Sequence, residues 1–99
     1  MKISIITISY NAENTIENTL KSIENQSYNN IEHIIIDGGS KDSTLEICNS
    51  FPHVFKILSE PDNGVYDAFN KGLKLATGDV IGFLNADDTF YNENSIQDI

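Results

Sequence analysis

Four strand-length apolar runs, separated by segments with helical spacing, constrain this chain more than any other feature of its sequence. The runs are Lys2–Ser9, Ile31–Ile36, Val54–Leu58 and Asp79–Leu84. Between residues 12 and 25, Ile16, Leu20 and Ile23 recur at the i, i+4, i+7 spacing of one helical face. Strands that alternate with helices favour a parallel sheet with right-handed crossovers. The sequence therefore predicts an α/β fold of about four parallel strands with flanking helices.

Composition excludes several classes of function. The chain has 99 residues and a formal net charge of −9, with six basic residues, all of them lysine. This length suits one domain, and nucleic acid is not an expected partner because binding its backbone needs a basic face. A single cysteine, Cys48, can form neither an intramolecular disulfide nor a cysteine zinc site. No run approaches the ~18 apolar residues of a membrane span, so we expect a cytoplasmic chain.

The last apolar run ends abruptly in two adjacent carboxylates, Asp87 and Asp88. In open α/β sheets, ligands bind outside the carboxyl ends of the strands. Two acids placed there can hold a hard cation, because such cations prefer oxygen ligands. Alternatively, the pair simply begins a solvated turn, since acidic residues are mostly exposed. Taken alone the pair favours the turn, so the residues at the other strand ends decide between the two interpretations.

Residues suited to ligand binding also follow the first two predicted strands. Tyr10 comes directly after the first run, where its ring could stack on a base, although aromatic rings more often pack in cores or interfaces. Asp37 ends the second run and is followed by Gly38-Gly39-Ser40. Its carboxylate could accept hydrogen bonds from a ligand, or it could cap the following helix. Parallel strands would bring Tyr10, Asp37 and the acid pair to one rim, where a base, a ribose and a metal-bridged diphosphate need partners.

Two further positions have both a structural and a functional interpretation. Asp42 suits a helix cap, and Ser43 with Glu46 three residues later forms a capping box for the second helical segment. Lys71 lies in the third helical segment, where it belongs to an ordinary polar face or meets a phosphate as a point charge.

Four motifs occur in order along the chain. They are Thr7-Ile8-Ser9-Tyr10-Asn11, Ile36-Asp37-Gly38-Gly39-Ser40-Lys41-Asp42-Ser43-Thr44, Asp67-Ala68-Phe69-Asn70-Lys71-Gly72 and Asn85-Ala86-Asp87-Asp88. Together, at this spacing, they resemble the family 2 glycosyltransferases over nearly the whole chain. The resemblance implies a GT-A fold, in which a Rossmann-like nucleotide-sugar half precedes an acceptor half. Residues 1–99 would then be the nucleotide-sugar-binding half, with the acceptor half absent.

The resemblance implies roles for the residues at the first two strand ends. Ser9, Tyr10 and Asn11 correspond to the segment under the nucleobase, and Asp37 to the carboxylate that reads the base, usually uracil. Here Gly38 follows Asp37, whereas D-D-G-S is the commoner pattern in the family. The residues expected to bind the nucleotide are therefore Ser9, Tyr10, Asn11, Asp37, Lys71 and Asp87.

The resemblance also implies a divalent metal. Asp87 and Asp88 correspond to the D-x-D region, which contacts the ribose and binds Mg²⁺ or Mn²⁺ at the diphosphate. Asn85 stands where many members have the first Asp, so the metal ligand is Asp87 or Asp88 without a choice between them. Phe69 stands where many relatives carry an arginine, which leaves Lys71 as a substitute cation.

The implied reaction is the inverting transfer of a sugar from a nucleoside diphosphate donor, expected to be a UDP-sugar, to a glycan or lipid-linked acceptor. The general base would lie beyond Ile99, so these residues should contain no catalytic residue and should transfer no sugar alone. The full-length enzyme is expected at the inner face of the membrane, and self-association through an exposed sheet edge is a further expectation. The alternative is a non-catalytic nucleotide-binding or regulatory α/β module, such as a receiver-like domain, whose acids follow strands one and three.

Overall fold

The computed structural model describes residues 1–27, 30–61 and 64–86. Its elements alternate along the chain as β1 (Ile3–Ser9), α1 (Ile16–Glu24), β2 (Ile31–Asp37), α2 (Thr44–Asn49), β3 (Val54–Ser59), α3 (Val65–Leu75) and β4 (Val80–Phe83). All four predicted strands and the helices between them are present. The first helix begins at Ile16 because residues 12–15 form a turn, in which the Thr15 and Ile16 N–H groups donate to the Ala12 carbonyl at 3.0 and 2.9 Å.

The strands form one parallel sheet in the order β3-β2-β1-β4. β1 and β2 pair along their whole length, from Ile3 opposite Ile31 to Ser9 opposite Asp37. Asp37 also lies opposite Ser59, the last residue of β3, on the side of β2 that faces away from β1. The predicted α/β fold with a parallel sheet is confirmed, and Ser9, Asp37 and Ser59 mark what we call the carboxyl edge of the sheet.

Apolar residues cover both faces of the sheet, as is typical of parallel strands with near-continuous apolar runs. On one face, Ile6, Ile34 and Ile36 pack with Ala68 of α3. On the other face, the buried residues that pack together include Ile16, Leu20, Ile35 and Cys48. α3 approaches β1 so closely that a Cβ at Gly72 would lie 2.6 Å from Cγ2 of Ile6. The helical layers therefore cover both faces of the sheet.

A buried carboxylate ties the amino ends of three strands together. Glu32 is 2% exposed, and its carboxylate forms an ion pair with Lys2 at 2.9 Å. It also accepts hydrogen bonds from the Ser4 hydroxyl at 2.9 Å and from the Thr77 N–H and hydroxyl at 2.9 and 2.7 Å. Burial raises the pKa of Glu32, but the bonds from Lys2, Thr77 and Ser4 outweigh burial and lower that pKa to about 2. The bonds to Glu32 therefore have a structural role, because they join the start of β2 to the starts of β1 and β4.

Two histidines pack against each other inside the fold. The His33 ring is buried, and its Nε2 lies 2.8 Å from the Thr7 hydroxyl oxygen. Its Nδ1 lies 3.2 Å from Nε2 of His53, and the two rings stack with centroids 5.3 Å apart. Burial, together with the nearby charge of protonated His53, lowers the pKa of His33 to about 3. His33 is therefore a neutral core residue at physiological pH.

Within the described residues, β4 forms one edge of the sheet and exposes apolar side chains there. Ile81 and Phe83 are 38% and 48% exposed, and the Phe83 ring contacts Phe69 of α3 edge-on, with centroids 4.5 Å apart. None of the helices that the structure describes is long and apolar enough to cross a membrane.

Candidate functional site

The carboxylate of Asp37 is the centre of the hydrogen bonding at the carboxyl edge. Its Oδ1 accepts from the hydroxyls of Ser9 at 2.7 Å and Ser40 at 2.5 Å. Its Oδ2 accepts from the N–H groups of Gly39 and Ser40 at 3.0 and 2.7 Å, and from the Ser59 hydroxyl at 2.9 Å. The neighbouring strands supply two of these donors and the loop after β2 supplies the other three.

These five bonds explain the charge state of Asp37. Burial raises the pKa of Asp37, but the hydrogen bonds from Ser40, Ser9 and Ser59 outweigh burial, so the pKa lies below its ordinary value. The side chain is fully buried. Asp37 therefore serves as an ionised anchor for residues 38–40 in this structure, and its direct contact with a base stays a prediction.

Hydrogen bonds join the loop after β1 to the loop after β2. The Asn11 N–H donates to the Ser40 hydroxyl at 2.8 Å, and the Lys41 N–H donates to Oδ1 of Asn11 at 2.9 Å. The Ala12 N–H donates to the Thr44 hydroxyl at 2.8 Å. We call this set of bonds, between residues 11–13 and 40–44, the loop clasp.

Acidic side chains complete the loop clasp. The Glu13 N–H donates to Oδ2 of Asp42 at 3.2 Å, and in return the Ser43 N–H donates to Oε2 of Glu13 at 3.1 Å. Oδ1 of Asp42 accepts from the Thr44 N–H at 2.9 Å. The predicted capping box is wrong, because the Ser43 side chain forms no cap hydrogen bond with the described residues. Asp42 satisfies the helix terminus instead, as its capping interpretation predicted.

A cavity of about 420 Å³ opens beside this clasp, at the ends of β1 and β4. Its lining combines apolar and amide side chains, from Ile8, Tyr10, Asn11, Ala12, Thr15, Phe69, Asn85 and Ala86. Tyr10 is 60% exposed and presents the largest exposed ring surface of this lining. A concave site with an aromatic wall and a few polar groups is typical of a small-molecule site.

The chain that leads to the predicted acid pair lies against the end of β1. The Ala86 N–H donates to the Ile8 carbonyl at 3.2 Å, and the buried Thr19 hydroxyl of α1 donates to the Ala86 carbonyl at 2.9 Å. Asp87 and Asp88 lie outside the described residues, and so do the predictions that rest on them. Among the residues that are described, no three His, Cys, Asp or Glu side chains are grouped so that they could hold a metal ion.

Lys71, the predicted phosphate-binding cation, is held by acidic neighbours. Its Nζ lies 3.2 Å from Oε1 of Glu60 and 3.4 Å from Oδ2 of Asp67, and it donates to the Pro61 carbonyl at 3.2 Å. Desolvation lowers the pKa of Lys71, but the bonds with Glu60 and Asp67 outweigh it and raise that pKa. A phosphate would have to compete with these three acceptors, so the nucleotide role of Lys71 stays a prediction.

Sequence reasoning missed three hydroxyl groups of this site. Ser40 had a signal, because Asp-Gly-Gly-Ser is a sequence in which the aspartate bonds the turn that follows it. Ser59 and Thr19 had none, since their partners Asp37 and Ala86 are 22 and 67 positions away in sequence.

Known proteins similar to this chain agree on its class. Residues 4–99 match the family described as Glycosyl transferase family 2. An uncharacterized glycosyltransferase of Mycobacterium tuberculosis is 43% identical over 90 residues, which cover 89% of this chain and 34% of that protein. The chain thus spans about a third of the length of this relative.

Solved structures share the fold. Residues 1–349 of S. aureus TarS, in complex with UDP-GlcNAc, match with a TM-score of 0.91 and 28% identity over 99% of this chain and 30% of that one. The mannosyltransferase PcManGT of Pyrobaculum calidifontis, in complex with GDP-Man and Mn²⁺, matches with a TM-score of 0.86 and 25% identity over 93% of this chain and 29% of that one.

Proposed function

Because the chain belongs to glycosyl transferase family 2, we propose that it is the donor-binding portion of an enzyme that transfers a sugar from a nucleoside diphosphate. Its sheet is that of the GT-A glycosyltransferases. The observation that carries the proposal is the cavity of about 420 Å³ beside the exposed ring of Tyr10, at the carboxyl ends of parallel strands. The receiver-like alternative would need acids after β1, but β1 ends in Ser9 and is followed by Tyr10 and Asn11.

The nucleotide is proposed to lie along the carboxyl edge, with its base near Ser9, Tyr10 and Asn11. A uracil base, and hence a UDP-sugar, is the expected donor, and the UDP-GlcNAc complex of TarS supports this choice. Tyr10 offers a ring on which a flat base can stack. The polar groups of Asp37 and Lys71 complete the proposed nucleotide edge on the side of β2 and α3.

A divalent cation, Mg²⁺ or Mn²⁺, is proposed to be bound by Asp87 or Asp88. Two features support a fit: carboxylate oxygens are the ligands that hard cations prefer, and the preceding Asn85 and Ala86 line the cavity. The Mn²⁺ in the PcManGT complex supports the choice of metal. When bound, the cation would supply Lewis-acid stabilisation of the departing diphosphate.

The whole enzyme is proposed to transfer the sugar with inversion to a glycan or lipid-linked acceptor, at the inner face of the membrane. The general base and the acceptor site are expected beyond Ile99, so residues 1–99 alone should transfer no sugar. Detectable sugar transfer by residues 1–99 alone would refute the assignment of the general base and the acceptor site to residues beyond Ile99. Self-association is proposed to use the exposed apolar side chains at the β4 edge, Ile81 and Phe83.

Isothermal titration calorimetry tests the donor and metal assignments together. UDP, GDP and ADP are titrated into the protein with and without Mn²⁺, and the same titrations are repeated on an Asp87→Ala/Asp88→Ala variant. We expect UDP to bind most tightly, Mn²⁺ to strengthen its binding at least about tenfold, or about 1.4 kcal/mol, and the double substitution to abolish that gain. UDP binding that ignores both the metal and the substitution would contradict the site assignment.

A further inference from the structure

We propose that Ser40 is a positioning residue for donor binding, although it contacts no part of the proposed nucleotide itself. Its hydroxyl transmits the fixed position of Asp37 to the backbone of Asn11, and thereby holds Tyr10 in place as a wall of the cavity. This inference rests on the proposed function, because it gives Tyr10 a role that matters only if a nucleotide binds there.

The direction of the hydrogen bonds at Ser40 is set by chemistry. A serine hydroxyl has one proton to donate and two lone pairs that accept. The proton goes to Oδ1 of Asp37 at 2.5 Å, because an ionised carboxylate can only accept. The lone pairs are then available to the Asn11 N–H, which donates to the Ser40 oxygen at 2.8 Å. We call the two bonds of the Ser40 hydroxyl, to Asp37 and from Asn11, the Ser40 relay. Four other donors fix the orientation of the Asp37 carboxylate from which this relay starts.

Tyr10 lies between two residues that are both tied to this relay. Before it, Ser9 donates to Asp37 at 2.7 Å. After it, Asn11 adopts a φ of 47°, a left-handed conformation that Asn tolerates better than most residues. Such a conformation persists only where its surroundings enforce it, and here the bonds to Ser40 and Lys41 do so.

The same bonds engage the polar side chains on either side of Tyr10. The Ser9 hydroxyl, Oδ1 of Asn11 and both oxygens of Asp37 are engaged within the protein. Tyr10 itself is 60% exposed and lines the cavity. A backbone that is already held in place on both sides of Tyr10 loses less conformational entropy when a ligand stacks on its ring, and this preorganisation strengthens binding. The hydrogen bonds of Ser40 should therefore appear in the affinity for the nucleotide.

The test compares four variants of the full-length protein. Ser40→Ala removes the relay, and Ser40→Thr keeps a hydroxyl at the same carbon. Ser43→Ala is the matched control, because the same change three residues away removes a hydroxyl that caps no helix in the described residues. Asn11→Gly keeps the backbone N–H and tolerates positive φ, but it removes the bond to Lys41. The dissociation constant of UDP in the presence of Mn²⁺ is measured for each by calorimetry, beside the melting temperature and the amide hydrogen exchange rate of residue 11.

We expect Ser40→Ala to weaken UDP binding about five- to tenfold, as the loss of about one hydrogen bond implies, and to speed amide exchange at Asn11. Ser40→Thr and Ser43→Ala should stay within about twofold of the unchanged protein, while Asn11→Gly should weaken binding about threefold or more. Exchange at Asn11 and rescue by threonine distinguish positioning from a general loss of stability. If Ser40→Ala does not fold, Ser40→Cys takes its place with the same expected result, because a thiol is similar in shape but is only a weak donor and acceptor.

Three results would contradict the inference, and they distinguish a failure of the positioning role from a failure of the proposed function. If the unchanged protein binds UDP but Ser40→Ala, or Ser40→Cys in its place, binds it equally well, the positioning role is wrong and the proposed function stands. The same holds if alanine and threonine at position 40 weaken binding equally, because the hydroxyl would then be irrelevant. If the unchanged protein binds no UDP with or without Mn²⁺, the proposed function itself is wrong, and the role of Ser40 fails with it.

Discussion

Mild acid should destabilise this protein through the buried His33. Its pKa is lowered from 6.5 to about 3 in the folded state, mainly by burial and also by His53. Below pH 6.5 the unfolded chain therefore binds a proton that the folded chain does not, so stability falls as the pH falls. The loss approaches about 1.4 kcal/mol for each pH unit well between the two pKa values, and it amounts to about 1.6 kcal/mol between pH 6.5 and 5. That is a large share of the ~5–15 kcal/mol by which domains are usually stable.

The window between pH 6.5 and 5 isolates the histidines from the carboxylates. The pKa of His53 is also lowered, by burial that outweighs the attraction of Glu24, so His53 adds to the loss with the same sign. The pKa of Glu32 is lowered from 4.5 to about 2, and that of Asp37 is lowered as well. Their stabilisation is complete above the unfolded values and disappears only as the pH falls below about 4.5.

Urea unfolding at pH 7.5, 6.5, 5.5 and 5 measures this loss directly. The unchanged protein is compared with His33→Gln, which keeps hydrogen-bonding groups near Thr7 but does not titrate. His53→Gln is measured beside it, so that the contribution of His53 to the loss is determined separately. We expect His33→Gln to lose less than half of the stability that the unchanged protein loses between pH 6.5 and 5. An equal slope in both proteins, or a stability that rises on acidification, would refute the assignment to His33.

Two further predictions concern the amino end of the sheet and its edge strand β4. Glu32→Gln should lower the free energy of unfolding by about 2–3 kcal/mol in urea, because it removes the charge that pairs with Lys2 in a buried setting. Lys2 is 39% exposed, so a loss near 5 kcal/mol would show that solvent does not reach the pair. Ile81→Lys should shift any dimer toward monomer in sedimentation velocity, because a charged edge residue opposes edge association. Lys74→Ala, an exposed change on the neighbouring α3, is the control, and a dimer that ignores Ile81→Lys would exclude this edge as the contact.

The order of elements could be predicted from sequence, whereas the partners at the carboxyl edge could not. Alternating apolar runs and helical segments admit few topologies, since parallel strands need crossover connections. The burial of Asp37, by contrast, depends on Ser9 and Ser59 lying on either side of it, and that follows only from the strand order β3-β2-β1. Local chemistry was sufficient for Asp42, which bonds the Thr44 N–H two residues ahead.

Lys71 shows the same limit in a charged group. Helical spacing places Asp67 one turn before Lys71, so that pair was accessible from the sequence. The ion pair with Glu60 depends on how the loop after β3 meets α3, and no local pattern encodes it. A cation that looks available for a phosphate in the sequence is therefore already matched with acids in the fold.

Because of the loop clasp, a change in residues 11–13 affects residues 40–44, and the reverse also holds. Each loop supplies donors and acceptors to the other in a fixed register, from Asn11 with Ser40 to Glu13 with Asp42. An insertion in one loop would leave the other with unmatched polar groups, so lengths and residue types in the two should change together among related chains. An engineered change to the length or sequence of one of these loops will therefore require a matching change in the other.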